Sequence, residues 1–218
     1  MKGMVKRMIT VEIKNYTKRI KEKNVLEDID CRFEGGKIYG LIGRNGSGKT
    51  MMLRAIAGLI YPTRGSVVIN EKVLHKDIDF PENTGIIIEN TEMLPQYDGF
   101  TNLKLLAKVS KKATDNDITA ALQRVGLGDV GKKKVKAYSL GMRQKLSIAQ
   151  AIFENPEILL LDEPTNALDE KSVEEVRKIL LDYKKNGALI ILASHNKEDI
   201  ERLSDEIIEM DNGRLIKK

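Results

Sequence analysis

The sequence is poor in the residues that build disulfides and histidine metal sites. Its 218 residues include one cysteine, Cys31, which cannot form an internal disulfide, and two histidines, too few for a His-rich metal site. No apolar run approaches the roughly 18–20 residues that cross a bilayer, so the chain is not expected to span a membrane by itself. The basic start Met1–Met8 has no apolar stretch after it, so no secretory signal is expected and a cytosolic setting is the simplest reading. No internal repeat, low-complexity tract or Pro/Gly/Ser-rich linker divides the chain. What is present is globular in character: 41% of residues are hydrophobic and 32% charged, enough for one sizeable core and short for two full domains. The net charge of +5 permits an anionic partner without demanding one.

Hydrophobic patterning places the elements. Ile9, Val11 and Ile13 alternate with polar residues, as do Ile29, Cys31 and Phe33, the period of half-buried strands with Cys31 facing inward. Lys37–Ile42 is a short apolar strand, followed by glycines and a helix-forming run, Lys49–Ala57. Thr63–Ser66 reads as a turn before the strand Val67–Ile69, and Gly85–Ile88 as another buried strand. From about Thr101 to Glu154 the pattern turns helical, with short helices at 102–107 and 118–122 and with Thr101 and Asp115 or Asp117 as candidate N-caps. Ile158–Leu161 and Leu189–Ala193 are buried strands. Val173, Val176, Leu180 and Tyr183 form the stripe of an amphipathic helix between them. Asp211-Asn-Gly213 is a hairpin turn between Glu206–Met210 and Leu215–Ile216. Short apolar strands alternating with helices predict an α/β fold with a mostly parallel sheet covered on both faces, and a helical insert between two of its strands. The eight methionines read as core filler and helix surface.

Gly43-Arg-Asn-Gly-Ser-Gly-Lys-Thr50 fits G-x-x-x-x-G-K-[ST], lying after a predicted strand and opening a predicted helix. About 0.01 such matches are expected by chance in a chain of this length. The backbone N–H groups of such a loop point at phosphate oxygens, and the helix N-terminus adds partial positive charge. The candidate nucleotide-binding residues are therefore Gly43, Arg44, Asn45, Gly46, Ser47, Gly48, Lys49, Thr50 and the adjoining Met51. Lys49 reaches the β- and γ-phosphates, and the Thr50 hydroxyl is a ligand for Mg²⁺. The apolar strand Ile158–Leu161 ends in Asp162-Glu163. A strand beside the phosphate loop would put Asp162 at the sheet's carboxyl edge, where it holds Mg²⁺ directly or through water. Glu163 points elsewhere and is a candidate general base for an attacking water. Tyr138–Gln144 opens a helix, where Ser139 and Gly141 offer groups to an anion or make a plain N-cap.

In order and spacing, the phosphate loop, Ser139-Leu-Gly-Met-Arg-Gln144, Leu161-Asp-Glu-Pro-Thr-Asn-Ala-Leu-Asp169 and Ser194-His195 resemble the ATP-binding-cassette ATPase domain. The resemblance covers about residues 9 to 217, and Tyr138–Met142 stands where that family has its Leu-Ser-Gly-Gly-Gln signature. It implies a phosphate-loop nucleotidase core (1–90 and 155–218) with an N-terminal antiparallel β subdomain and an inserted helical subdomain (91–154). It implies ATP and Mg²⁺ as ligands, and two subunits arranged head to tail, as a homodimer or heterodimer. Ser139 and Gly141 would then meet the γ-phosphate held by the partner chain, and Asp169 would cross the interface. His195 would touch the γ-phosphate and steady Glu163, while Tyr16, 27 residues before Gly43, would stack on adenine unless it is merely a loop tyrosine.

Two departures from the family pattern stand out. The family's glutamine after the Gly85–Ile88 strand is here Glu89, a carboxylate still able to ligate Mg²⁺ through water but adding negative charge beside the triphosphate. Gln96 is the alternative, seven residues late and after Pro95. In the signature, Leu140 replaces a glycine and Met142 a glutamine. With Asp98–Leu103, these features resemble bacterial exporter subunits of the bacitracin-resistance and lantibiotic-immunity type. The implied partners are transmembrane permease subunits, which would hold the chain at the inner face of the cell membrane. The basic run Lys132–Lys134 with Lys136 has no interleaved aromatics and reads as a solvated loop, so no nucleic-acid partner is expected. A soluble cassette ATPase working on nucleic acid or ribosomes is the alternative reading, and a nucleotide-gated scaffold without turnover the other.

Overall fold

The alternation seen in the first forty residues becomes two long antiparallel strands, β1 (Thr10–Ile20) and β2 (Lys23–Glu34). The structure, a computed structural model, describes residues 8–89 and 91–217. The basic start at 1–7 and Asn90, at the edge of the expected helical insert, lie outside the described residues. β1 also pairs with β4 (Arg64–Ile69), which pairs with β5 (Lys72–Val73), giving a four-stranded antiparallel sheet in the order β2-β1-β4-β5. Val11 and Ile13 face inward on the expected period. A register shift then follows at Asn15, whose φ is 47°, and the extra residue turns Tyr16 inward as well.

The second sheet has six strands: β3 (Ile38–Ile42), β6 (Thr84–Ile87), β7 (Ile158–Asp162), β8 (Leu189–Ala193), β9 (Glu206–Asp211) and β10 (Arg214–Lys217). Their order is β10-β9-β3-β8-β7-β6, parallel throughout except for the β9–β10 hairpin at the edge. Such strands are apolar without a break because both faces are covered. Along β7, Ile158 and Leu160 join the core shared with the antiparallel sheet, while Leu159 and Leu161 join the core under the helices. α1 (Lys49–Ile56) lies between the sheets, contributing Met52, Leu53 and Ile56 to the first core. Cys31, Ile29 and Phe33 are buried there as expected.

Between β6 and β7 the chain forms α2 (Gly99–Ser110), α3 (Asp115–Arg124), two 3₁₀ turns and α4 (Leu140–Ile152). The caps differ from those expected. Asp98, in extended conformation, accepts the Thr101 N–H and caps α2, so Thr101 is inside the helix. Thr114 caps α3 in a reciprocal box with Asp117, which makes both Asp115 and Asp117 first-turn residues. α4 lies against β6 so closely that a Cβ on Gly85 would sit 1.9 Å from the Ala151 carbonyl oxygen. α5 (Glu170–Lys185) buries Val176, Leu180 and Tyr183 of the expected stripe, and α6 (Lys197–Leu203) follows β8.

Candidate functional site

The loop from β3 to α1 is shaped by its glycines. Gly43, Gly46 and Gly48 have φ of 148°, 78° and 112°, values that a side chain would strain, and a Cβ on Gly43 would meet the Met210 carbonyl oxygen at 2.3 Å. Gly48 occupies the N-cap of α1 with no side-chain cap, so the first N–H groups of the helix are left for an anion. Lys49 is buried and folds back, donating to the Gly43 carbonyl at 2.7 Å and the Arg44 carbonyl at 3.3 Å. Burial lowers the proton affinity of its ammonium, opposed by Glu163 and Asp162.

β7 is not the neighbour of β3, as a strand directly beside the loop would be; β8 lies between them. α1 crosses that gap, and the Thr50 hydroxyl donates to Asp162 Oδ2 at 2.6 Å. Thr50 and Asp162 thus offer only oxygen donors, the chemistry Mg²⁺ takes together with phosphate oxygens and water. Among the described residues no group of three or more His, Cys, Asp or Glu is arranged to hold an ion alone. The residues present fit a metal that arrives with a nucleotide.

Glu163 sits just past the strand with φ 49°. Its carboxylate accepts from the His195 backbone N–H at 2.9 Å and the Ser194 hydroxyl at 3.4 Å, and His195 Nε2 is 3.5 Å away. Burial raises its pKa above the usual glutamate range, although His195 and Lys49 pull the other way. Around these groups is a cleft of about 470 Å³, which the 45–51 stretch of the loop, Asp162, Glu163, Glu89 and His195 all line.

Tyr16 is not in an exposed loop. It is 1% exposed in β1, packed in the core, with its hydroxyl donating to the Ile60 carbonyl at 3.3 Å, so its ring has no face for adenine. Burial pushes its pKa up to about 12. Tyr16→Phe is accordingly expected to leave ATP affinity within about two-fold and to cost stability only about 1 kcal/mol, the worth of one hydrogen bond; nucleotide titration and thermal melts check both. The cleft is lined also by Lys23, Asn24 and Val25 at the start of β2 and by Asn212 and Gly213 at the β9–β10 turn. Pairing distant in sequence brings these segments to the loop, including Gly213 N–H to the Ser47 carbonyl at 2.8 Å, and no local signal marks them as part of the cleft.

Glu89 lines the cleft while ion-paired to Arg54 of α1 at 2.6 Å, which offsets the charge it adds; Gln96 is exposed and outside the lining. Ser139, Gly141 and Asp169 do not line this cleft. Ser139 caps α4 by accepting the Met142 N–H at 3.2 Å, Gly141 follows it, and Asp169 caps α5 by accepting the Ser172 N–H at 2.8 Å. Gln144, on the same helix as Gly141 and with no sequence signal that marks it, lines the cleft.

The sequence profile of the ABC transporter family matches residues 26–166. The chain is 60% identical over 205 residues to the ABC transporter ATP-binding protein YybJ of Bacillus subtilis (strain 168), covering 94% of each. It is 37% identical over 210 residues to the bacitracin transport ATP-binding protein BcrA of Enterococcus faecalis, covering 95% of this chain and 68% of that one. Among solved structures, an ATP-binding subunit of an ABC transporter superposes with a TM-score of 0.85 at 27% identity, over 94% of this chain and 87% of that chain. The dimeric bacterial ABC transporter cassette MJ0796 shares the fold with a TM-score of 0.86 at 23% identity, over 95% and 97% of the two chains.

Proposed function

Because the chain belongs to the ABC transporter family as an ATP-binding subunit, we propose that the cleft between β3, α1 and β7 is where it hydrolyses ATP to drive a solute through separate membrane subunits. The observation that carries the reading is the 2.6 Å contact between Thr50 and Asp162, which joins the phosphate loop to the strand end bearing Glu163.

The loop amides and the N-terminus of α1 receive the phosphates. Lys49, released from the Gly43 and Arg44 carbonyls, turns its ammonium onto the β- and γ-oxygens and stabilises charge on the transferring group. Thr50, Asp162 and Glu89 would hold Mg²⁺, which would supply positive charge against the negative charge of the phosphoryl oxygens. Glu163 takes the proton from the attacking water as the water oxygen bonds to the γ-phosphorus and the bond from that phosphorus to the β-phosphate oxygen breaks, so that ADP leaves. The His195 N–H and the Ser194 hydroxyl keep that carboxylate aimed.

Exposure of Ser139 at the start of α4, away from its own cleft, supports their assignment, with Gly141, to the γ-phosphate of a second subunit in a head-to-tail dimer. Asp169, exposed at the start of α5, is then the residue at the interface. The permease subunits hold the chain at the cytoplasmic face of the membrane; among the described residues no helix is long and apolar enough to cross a bilayer. The resemblance to bacitracin-resistance and lantibiotic-immunity exporters supports outward transport.

The test is calorimetry and phosphate release with ATP, before and after chelation of Mg²⁺. Chelation is expected to abolish phosphate release and to weaken ATP binding at least ten-fold. Release that survives chelation, or that needs added RNA or DNA, would refute the proposal.

A further inference from the structure

Glu163 is tied at each of its polar atoms, and one tie comes from outside the parallel sheet and its connecting loops. Its N–H donates to the Ala193 carbonyl at 2.8 Å, and its carboxylate accepts from His195 N–H and the Ser194 hydroxyl, all from the end of β8 and just beyond. Its carbonyl accepts the Asn166 N–H at 3.2 Å from within the turn and, from outside it, Gln144 Nε2 at 3.2 Å. The same nitrogen donates to the Pro164 carbonyl at 2.8 Å. A primary amide has two N–H groups, so one side chain serves both acceptors.

These two consecutive carbonyls lie in the turn that directly follows the base. Glu163 has φ 49°, a conformation that non-glycine residues hold only when their surroundings over-determine it. Gln144 lies on α4, whose N-cap is Ser139. Gln144 is five positions on from Ser139, about 7.5 Å along the axis. A shift of α4 that moves Ser139 must therefore move the amide that holds Glu163.

We propose that Gln144 is a positioning residue, which fixes the left-handed turn at Glu163 and makes the alignment of the base depend on the placement of α4. Contact of Ser139 with a neighbouring subunit's nucleotide would thus be felt at the hydrolytic water of its own chain. The proposal rests on the reading of Glu163 as general base.

The experiment uses the full chain with ATP and Mg²⁺. Gln144→Glu keeps the shape but turns a carboxylate toward two carbonyls. Its kcat is expected to fall roughly 10- to 100-fold at pH 8, with KM and ATP affinity within about three-fold. As pH falls toward 6, the introduced carboxyl gains a proton and can donate again, so the ratio of variant to wild-type kcat is expected to rise. Gln144→Ala, which introduces no charge, is expected to lose kcat to a similar degree with a ratio independent of pH, and it guards against a folding defect in the first variant. A purely structural role would lower the melting temperature and leave kcat and the pH ratio alone, which would overturn the proposal. So would a rise in KM at constant kcat, which would put Gln144 on the nucleotide. Glu163→Gln run alongside separates the two ideas: turnover surviving there refutes the base, whereas its loss with full turnover in both Gln144 variants refutes only the positioning role.

Discussion

Glu163→Gln is expected to cut ATP turnover by roughly 10²–10⁴-fold while ATP affinity stays within about three-fold. The amide keeps the size of the carboxylate and can still accept from the His195 N–H at the position where Glu163 Oε1 now lies 2.9 Å away. It cannot take a proton from water. Binding depends on the loop amides, Lys49 and Thr50, none of which the substitution touches. An enzyme that binds but does not hydrolyse should accumulate in the ATP-bound state, and if two chains close on the nucleotide, the variant should elute as an ATP-dependent dimer. Wild-type turnover in Glu163→Gln would remove the base from the scheme, and an ATP-loaded variant that stays monomeric at every concentration would remove the dimer.

The same residue shapes the pH profile. Burial holds the Glu163 pKa above the ordinary value of 4.5, and the base must be ionised to act. The acid limb of kcat/KM, which reports the free enzyme, is therefore expected above that value, with activity lost as pH falls through it. Lys49 must carry its proton, and burial lowers its pKa below 10.5, so the alkaline limb lies lower than an ordinary lysine would place it. In Glu163→Gln the residual activity should lose the acid limb.

Much of the site was legible because phosphate chemistry imposes local order. Gly43–Thr50 must be a strand-to-helix turn with positive φ at its glycines, and it is. Asp162 and Glu163 end an apolar run because the sheet is covered on both faces. What a linear reading missed depends on events with no local signature. Tyr16 was misplaced because one bulged residue at Asn15 reverses which side chains face inward. The start of β2 at Val25 and the turn carrying Gly213 reach the loop through strand pairing across nearly the whole chain, and Gln144 finds Glu163 across nineteen residues through tertiary packing. Arg54 lies one helical turn from Thr50, but its pairing with Glu89 depends on where β6 ends.

Arg177→Met is expected to cost about 3–5 kcal/mol of stability, a large effect for a substitution remote from the cleft. In the native chain Arg177 Nε donates to Asp199 Oδ1 at 2.8 Å and a second guanidinium nitrogen lies 2.6 Å from the same oxygen. Asp199 is 1% exposed and its other oxygen accepts the Thr165 hydroxyl at 2.5 Å. Removing the guanidinium leaves a buried carboxylate with one hydroxyl partner and no cation. Asp199→Ala should cost less, because Arg177 keeps Glu174 at 2.5 Å and Glu198 at 3.4 Å near the surface. For a chain of this size the Arg177→Met loss corresponds to a fall of roughly 6–20 °C in melting temperature. Arg177→Met with Asp199→Leu, which replaces the pair by apolar groups, should recover at least half of it, since the penalty comes from the stranded charge rather than from the missing attraction. Equal losses in the single and double variants would mean that packing of the arginine stem, not charge burial, sets the cost. The consequence for activity follows from Thr165, two residues after Glu163: with Asp199 stranded, the segment running from the base to Asp169 loses its anchor, so the single variant should lose turnover at temperatures well below its melting point.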